Sequence, residues 1–173
     1  MQPDIVHLKN RALSVEENKI LLRQCLVGRI ATVNHEGIPY ITPVNYAYEL
    51  ETDRIYIHHS SRGGQLLTNL QNSNQACFEV DQPGEIVKAS SGTQACGGDQ
   101  IYRSVICLGR ITIANDEEKI RGLRLLSNKY MGKPILNPIG EFKPATLDRL
   151  VILAVDIGTM TGKCREPRNQ SSP

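Results

Sequence analysis

Residues 55–67 read IYIHHSSRGGQLL, and this stretch is the most informative part of the sequence about the fold. The apolar residues up to Ile57 predict a strand, those of 64–71 predict a helix, and a polar loop with two glycines joins them. The first amides of a helix are unpaired and attract anions, and glycine lets a backbone approach a phosphate closely. The segment is therefore either an anion site or an ordinary strand-to-helix turn, and the residues alone leave both open.

Two adjacent histidines end the predicted strand. Neighbouring strand side chains point to opposite faces, so His58 and His59 cannot bind one metal ion while the strand continues. The remaining histidines, His7 and His35, occupy terminal and turn positions, and no metal site is expected. His58 and His59 are candidates for donating a proton in catalysis, because imidazole exchanges protons near neutral pH. A hydrogen-bonded structural role is the alternative for each.

A helix and a hairpin are predicted before this segment. Ser14 and Glu17 have the spacing of a capping box, which opens a helix that ends near residue 26. The segment 29–34 predicts a strand, 35–37 a turn, and 38–48 the returning strand.

The returning strand contains two prolines, Pro39 and Pro43. Proline has no backbone N–H and is confined to strand edges, strand starts and bulges. Parts of this backbone are therefore expected to stay unpaired and to face a ligand.

Hydrophobic patterns predict further elements downstream. Strands are expected over 76–81, 101–114 and 150–157. Asn115 can cap a third helix, and the long stretch 88–100 is a candidate lid or subunit contact. An extended crossing segment is marked by Pro134, Pro138 and Pro144.

The order of elements predicts a mainly β fold, with about three helices packed outside a six-stranded antiparallel split β-barrel. One domain is expected over 1–164, followed by a disordered polar tail over 165–173. The net charge of +2 and the scattered basic residues give no sign of a nucleic-acid partner. No apolar run is long enough for a membrane span. Five cysteines without a CxxC pair suggest a reduced, cytoplasmic protein.

Other motifs are incomplete. The segment 158–163 resembles a P-loop, but its spacing is one residue short and Cys164 stands where Ser or Thr is needed. Cys96 lies beside glycines without an identifiable partner, and an inert thiol is the simpler interpretation. Cys77 and Cys107 lie in apolar strand patterns and are expected to be small buried side chains.

Five segments resemble the pyridoxamine 5'-phosphate oxidase-like, FMN-binding split barrels, and in particular their nitroimidazole-resistance (Nim-type) branch. They are GRIATVNHEGIPYITPVNYAYE (28–49), RIYIHHSSRGGQLLTNL (54–70), ACFEV (76–80), YRSVICLGRITI (102–113) and MTGKCRE (160–166). Together with the connecting helices they cover nearly the whole chain in the family's order.

The resemblance implies that FMN lies at the interface of a homodimer. One strand would run along the flavin ring, and the loop after the third strand would hold the phosphate. The cofactor-binding residues that it implies are Thr42, Pro43, Val44, Asn45, His58, His59, Ser60, Ser61, Gly63, Gly64, Gln65, Arg103, Ser104 and Lys163.

Position 65 departs from the family pattern, because the family usually has Lys where this chain has Gln65. A charged hydrogen bond contributes roughly 1.5–3 kcal/mol against about 1 kcal/mol for a neutral one. The change predicts FMN binding that is weaker by about tenfold unless Arg62 or Arg103 compensates.

The resemblance implies a flavin-dependent oxidoreductase of small molecules. NADH or NADPH would be a transient electron donor, and a nitroaromatic compound is one candidate acceptor. A vitamin B6 oxidase is less favoured, because no spare Arg/Lys cluster offers a second phosphate site. Two alternatives stay open: a non-catalytic flavin- or haem-binding protein of the same fold, and a barrel that binds nothing and acts through its dimer surface.

Overall fold

The computed structural model describes residues 9–87, 98–131 and 142–165. Its strands are β1 (Gly28–Val33), β2 (Pro39–Val44), β3 (Tyr46–Glu49), β4 (Arg54–Ser60), β5 (Gln75–Val87), β6 (Asp99–Ile113) and β7 (Leu150–Arg165). Its helices are α1 (Val15–Gln24), α2 (Gln65–Leu70), α3 (Asp116–Tyr130) and α4 (Pro144–Leu147), preceded by a 3-10 turn at Lys9–Arg11. None of these helices has the length and apolar character needed to cross a bilayer.

The described strands form one sheet in the order β2-β1-β5-β6-β7-β4-β3. The pairs β1–β2, β1–β5, β3–β4 and β4–β7 are antiparallel. The predicted mainly β class is confirmed, with seven strands in the described residues where six were expected. The difference arises at Asn45, where the predicted strand 38–48 divides into β2, which pairs with β1, and β3, which pairs with β4.

The chain forms two compact units. The smaller unit contains the described residues of 1–25, 80–106 and 160–173. The larger unit contains the described residues of 26–79 and 107–159. The single domain over 1–164 stays a prediction. The predicted tail lies outside the described residues except for Arg165, which ends β7.

The larger unit has its core between β4, β7 and α3. Tyr56 of β4 and Ile152 of β7 are fully buried, and they pack with Leu123 and Leu126 of α3. The predicted cap of α3 is confirmed, because the Asn115 side chain accepts a hydrogen bond of 2.9 Å from the backbone of the third helical residue.

Ion pairs fix α3 against the sheet. Arg54 Nε lies 2.6 Å from Asp156 Oδ1 and the same guanidinium contacts Glu118 at the start of α3. Arg121 Nε lies 2.6 Å from Oε1 of the buried Glu49 on β3. This hydrogen bond and the charge of Glu49 raise the pKa of Arg121, so its guanidinium stays charged.

The prolines of β2 lie on its free edge. Asn34 N donates to Ile38 O at the turn, which makes alternate pairs hydrogen-bonded and turns the backbone of Pro39 and Pro43 away from β1. The expectation that parts of this backbone stay unpaired is therefore wrong for the side facing β1, where β2 pairs along its length. The expectation is right for the outer side, because β2 is the edge strand of the described sheet. Within 39–44, only the N–H of Ile41 points outward.

The smaller unit begins with the predicted capping box. Ser14 Oγ accepts from Glu17 N at 3.3 Å, and Glu17 Oε2 accepts from Ser14 N at 2.8 Å. These hydrogen bonds from Ser14 lower the pKa of Glu17. The buried Asn18 of α1 packs on Gly162 of β7, where an added Cβ would lie 1.7 Å from Asn18 Oδ1.

Other predicted boundaries change. Pro144 begins α4 instead of an extended segment, as suits its fixed φ at the first helical position. β6 begins at Asp99, and β7 continues beyond Ile157, so the P-loop-like segment 158–163 is strand. Outside the described residues lie Cys96, Pro134, Pro138 and the part of the predicted loop at 88–97.

Close packing of β6 on β7 gives a stability prediction. We expect Gly109→Ala to destabilise the protein by about 1–3 kcal/mol, because the added Cβ would lie 2.1 Å from the Asp156 backbone oxygen. Gly158→Ala is the matched control, since the nearest atom to its added Cβ is Leu108 O at 3.6 Å. Urea unfolding measures both, and equal midpoints would contradict the packing.

Candidate functional site

The loop between β4 and α2 is exposed from Ser60 to Gly64. Gly63 has φ 104° and Gly64 has φ 140°, a region that L side chains rarely adopt. Gly64 lies against His59, where an added Cβ would be 3.2 Å from the ring carbon Cε1, whereas Gly63 has no atom within 4 Å of that position. The two glycines therefore hold a backbone conformation that larger residues would strain, and we call the exposed space beside Ser60–Gly64 the notch.

Hydrogen bonds hold this loop to the segment before β7. Ser61 N donates to Arg149 O at 3.0 Å, and Ser61 Oγ donates to Asp148 O at 2.9 Å. Ser60 Oγ accepts from Arg62 N at 3.2 Å, which leaves its own hydroxyl hydrogen as a donor. The two serines thus have different functions in the loop, with Ser61 anchoring it.

Buried polar side chains support the first residue of α2. Gln65 Nε2 donates to Asn69 Oδ1 at 2.7 Å, and Asn69 Nδ2 donates to Thr32 Oγ1 at 2.9 Å. Asn69 is 0% and Thr32 is 1% exposed. Because α2 packs against β1 and β2, these bonds connect the notch to the hairpin.

Thr42 faces the same side of the hairpin. It pairs with Ile30, and the next pair on that face is Thr32 with Tyr40. Its hydroxyl oxygen is buried and has no hydrogen-bond partner among the described residues. Such a group destabilises the protein unless a bound molecule or another chain supplies a partner. Thr42 therefore fits the predicted ligand set.

His58 and Asn45 meet at a different place, an apolar cavity of about 440 Å³ under α3. Their neighbours in it are Leu123, Leu126, Ser127, Tyr130 and Met131. His59 points the other way, to Gly64, and its Nδ1 lies 2.9 Å from Ser60 O. The expectation that the adjacent histidines serve opposite faces is confirmed.

Tyr130 fixes one wall of this cavity. Its hydroxyl accepts from Tyr46 N at 2.9 Å and donates to Leu26 O at 2.6 Å, while Lys129 lies 3.6 Å from the Tyr46 ring centroid. The sequence pattern identified Tyr130 only as part of an apolar helix face. Nothing in the pattern indicated that its hydroxyl caps the start of β3.

Three predicted residues belong to the smaller unit. Arg103 and Ser104 lie on β6, the first exposed and the second half-buried. Lys163 lies on β7, half-buried, opposite Ala12. On β2, Pro43 is exposed and Val44 is half-buried. Within the larger unit, the structure thus places Thr42 on the α2 side of the hairpin and Asn45 with His58 at the cavity.

Two of the described cysteines, Cys77 and Cys107, have thiols of raised pKa. Among the described residues, Cys25, Cys77, Cys107 and Cys164 take part in no disulfide. Burial raises the pKa of Cys107 to about 12, and it also raises the pKa of the half-buried Cys77. Both thiols therefore stay neutral, as expected for packed side chains.

Sequence comparison identifies a family. The family model described as pyridoxamine 5'-phosphate oxidase matches residues 14–164. No curated protein matches the sequence.

Solved structures share the fold. A protein from Bacteroides thetaiotaomicron provisionally described as a 5-nitroimidazole antibiotic resistance protein is 22% identical, with a TM-score of 0.73 over 88% of this chain and 86% of its own. An FAD and heme binding protein from Mycobacterium smegmatis is 24% identical, with a TM-score of 0.74 over 89% and 72%. A flavocytochrome from Azotobacter vinelandii is 24% identical, with a TM-score of 0.70 over 89% and 68%. At these identities the likeness shows the fold alone.

The unpartnered Thr42 hydroxyl gives a second prediction. In the ligand-free protein, we expect Thr42→Val to raise the free energy of unfolding by about 1 kcal/mol, because it removes a buried polar atom without a partner. Thr32→Val is the contrasting variant and should lower it by about 1 kcal/mol or more, since Asn69 loses its acceptor. Denaturant unfolding separates them, and equal losses would mean that Thr42 is already hydrogen-bonded.

Proposed function

Because the chain belongs to the pyridoxamine 5'-phosphate oxidase family, we propose that it binds FMN with the phosphate in the notch between β4 and α2. The observation that carries the proposal is the exposed loop from Ser60 to Gly64, with two glycines of positive φ. Backbone amides and the Ser60 hydroxyl are donors suited to phosphate oxygens, and Arg62 adds a nearby positive charge. We propose FMN as the cofactor in place of FAD, because a terminal phosphate can accept from several of these donors at once.

Thr42 supports the same placement. Its buried hydroxyl needs a partner, and it shares a face of the β1–β2 hairpin with the residues under α2. The outward carbonyls of β2 add acceptors along its free edge, with the Ile41 N–H as a donor. A flavin ring has both donors and acceptors on its polar edge, so this strand suits it chemically.

We propose that the protein is an FMN-dependent oxidoreductase, with NADH or NADPH as transient donor and a small acceptor such as a nitroaromatic compound. When bound, the flavin supplies the redox chemistry. The chain supplies His58, an exposed imidazole at an apolar cavity, which can hold or donate a proton near an acceptor. The leucines of α3 keep water from one wall of that cavity.

A homodimer with the flavin at its interface is part of the proposal. Ala31, Val33 and Ile41 share the face of the hairpin opposite Thr42, and Ile41 is 61% exposed. Such an apolar face is typical of a protein interface. Sedimentation of the purified chain tests this point. We also propose a cytoplasmic location, since the described cysteines form no disulfide.

His58 also favours a second candidate, a non-catalytic flavin- or haem-binding protein. A histidine at an apolar cavity can be an axial ligand of haem iron. A Soret band that is lost in His58→Gln would support haem. Flavin absorption that NADH and NADPH fail to bleach would support a holder without reductase activity.

The ligand of the protein as purified provides the direct test. We expect mass spectrometry of the released small molecule to identify FMN, and anaerobic NADPH or NADH to bleach its absorption. FAD would change the cofactor and keep the enzyme class. A protein that is colourless and does not bind added FMN in equilibrium dialysis would contradict the proposal.

Position 65 gives a prediction about affinity. We expect Gln65→Lys to tighten FMN binding by about tenfold, because it adds a charge beside the phosphate, and to leave riboflavin binding unchanged. Gln71→Lys makes the same exchange at the exposed far end of α2 and is the control. Flavin fluorescence titration measures both. A similar gain in the two variants would indicate general surface charge and would place the phosphate elsewhere.

A further inference from the structure

We propose that Asn69 and Thr32 are positioning residues that fix the Gln65 amide for the flavin phosphate and so give the site its preference for phosphorylated flavin. The inference rests on the proposed function. It concerns two side chains that touch neither the notch nor the solvent, since Asn69 is 0% and Thr32 is 1% exposed.

The side chain of Asn69 is buried beneath α2. A polar side chain buried on a six-residue helix is destabilising unless both ends of its amide are hydrogen-bonded. Here Oδ1 accepts from Gln65 at 2.7 Å, and Nδ2 donates to Thr32 at 2.9 Å. The Asn69 amide cannot turn without losing both bonds. Its orientation is therefore set by Thr32 and transmitted to Gln65.

The Gln65 amide has hydrogen-bonding groups that its bond to Asn69 does not use. One N–H is used by Asn69, and the second N–H with Oε1 stays available at an exposed position directly after Gly64. An exposed glutamine that is not held samples many rotamers and loses that freedom on binding. With one N–H anchored by Asn69, the amide has already lost part of that freedom before a ligand arrives.

The strand and the helix that carry Thr32 and Asn69 are both held in place by packing and pairing. Thr32 lies in the middle of the register that pairs β1 with β2, and Leu66 of α2 is buried. The bonds therefore run from a fixed strand to a fixed helix. A hydrogen bond from a pre-oriented amide favours an oxygen of the phosphate, while the flavin ring gains nothing from it.

The test measures dissociation constants for FMN and riboflavin by fluorescence quenching of the full chain. We expect Thr32→Val, which has nearly the same shape, to weaken FMN binding by about fivefold and to leave riboflavin binding unchanged. Thr32→Ser keeps the acceptor oxygen and should retain wild-type FMN affinity. Asn69→Leu should weaken FMN as Thr32→Val does. Combining Thr32→Val with Gln65→Met should add nothing to the loss in Gln65→Met alone.

Several outcomes would overturn the inference. If Thr32→Val weakens the binding of FMN and of riboflavin equally, the hydrogen bonds from Thr32 through Asn69 to Gln65 have only a structural role. Wild-type FMN affinity in Thr32→Val, or a loss in Thr32→Ser as large as in Thr32→Val, would likewise exclude a positioning role. These results leave flavin binding itself intact. Failure of the wild-type chain to bind either flavin would instead overturn the proposed function, and the positioning role with it.

Discussion

The antiparallel pairing of β4 with β7 is the constraint on which the candidate site depends. His58 pairs with Ile152 and Ser60 with Leu150, and the bonds of Ser61 to residues 148–149 continue the same alignment beyond the strand. A shift of one residue would exchange the two faces of β4. His58 would then leave the cavity under α3, and His59 would leave Gly64. The register therefore sets which histidine serves which surface.

The hairpin imposes a second constraint from the other side of α2. β1 is paired on both edges, whereas β2 has one free edge and two prolines that prevent further donors from facing it. This arrangement protects an exposed edge from pairing with other chains. The inner face of the hairpin carries Thr32 and Thr42 beside the buried Ile30. Thr32 meets its partner there, and Thr42 lacks one among the described residues.

Local signals predicted much of this fold from the sequence. The Ser14–Glu17 box, the Asn115 cap and the β1–β2 turn involve residues close together in the chain, so spacing alone identifies them. The division at Asn45 depends on which partner each half of the segment finds, which spacing does not encode. The bond from Asn69 to Thr32 spans 37 residues, and that from Tyr46 to Tyr130 spans 84. Such contacts form only in the assembled sheet, so local sequence patterns do not predict them.

In the proposed flavin site, the neutral residue at position 65 would make the geometry of the notch decisive. A lysine attracts phosphate by charge, which acts over several ångströms and tolerates many side-chain directions. An amide acts only when its N–H points at an oxygen within hydrogen-bond range. Replacing charge with an amide therefore transfers the requirement to the residues that aim it. Under the proposal, the buried pair Asn69 and Thr32 would fulfil that requirement, which would give a functional reason for two polar side chains in the interior beneath α2.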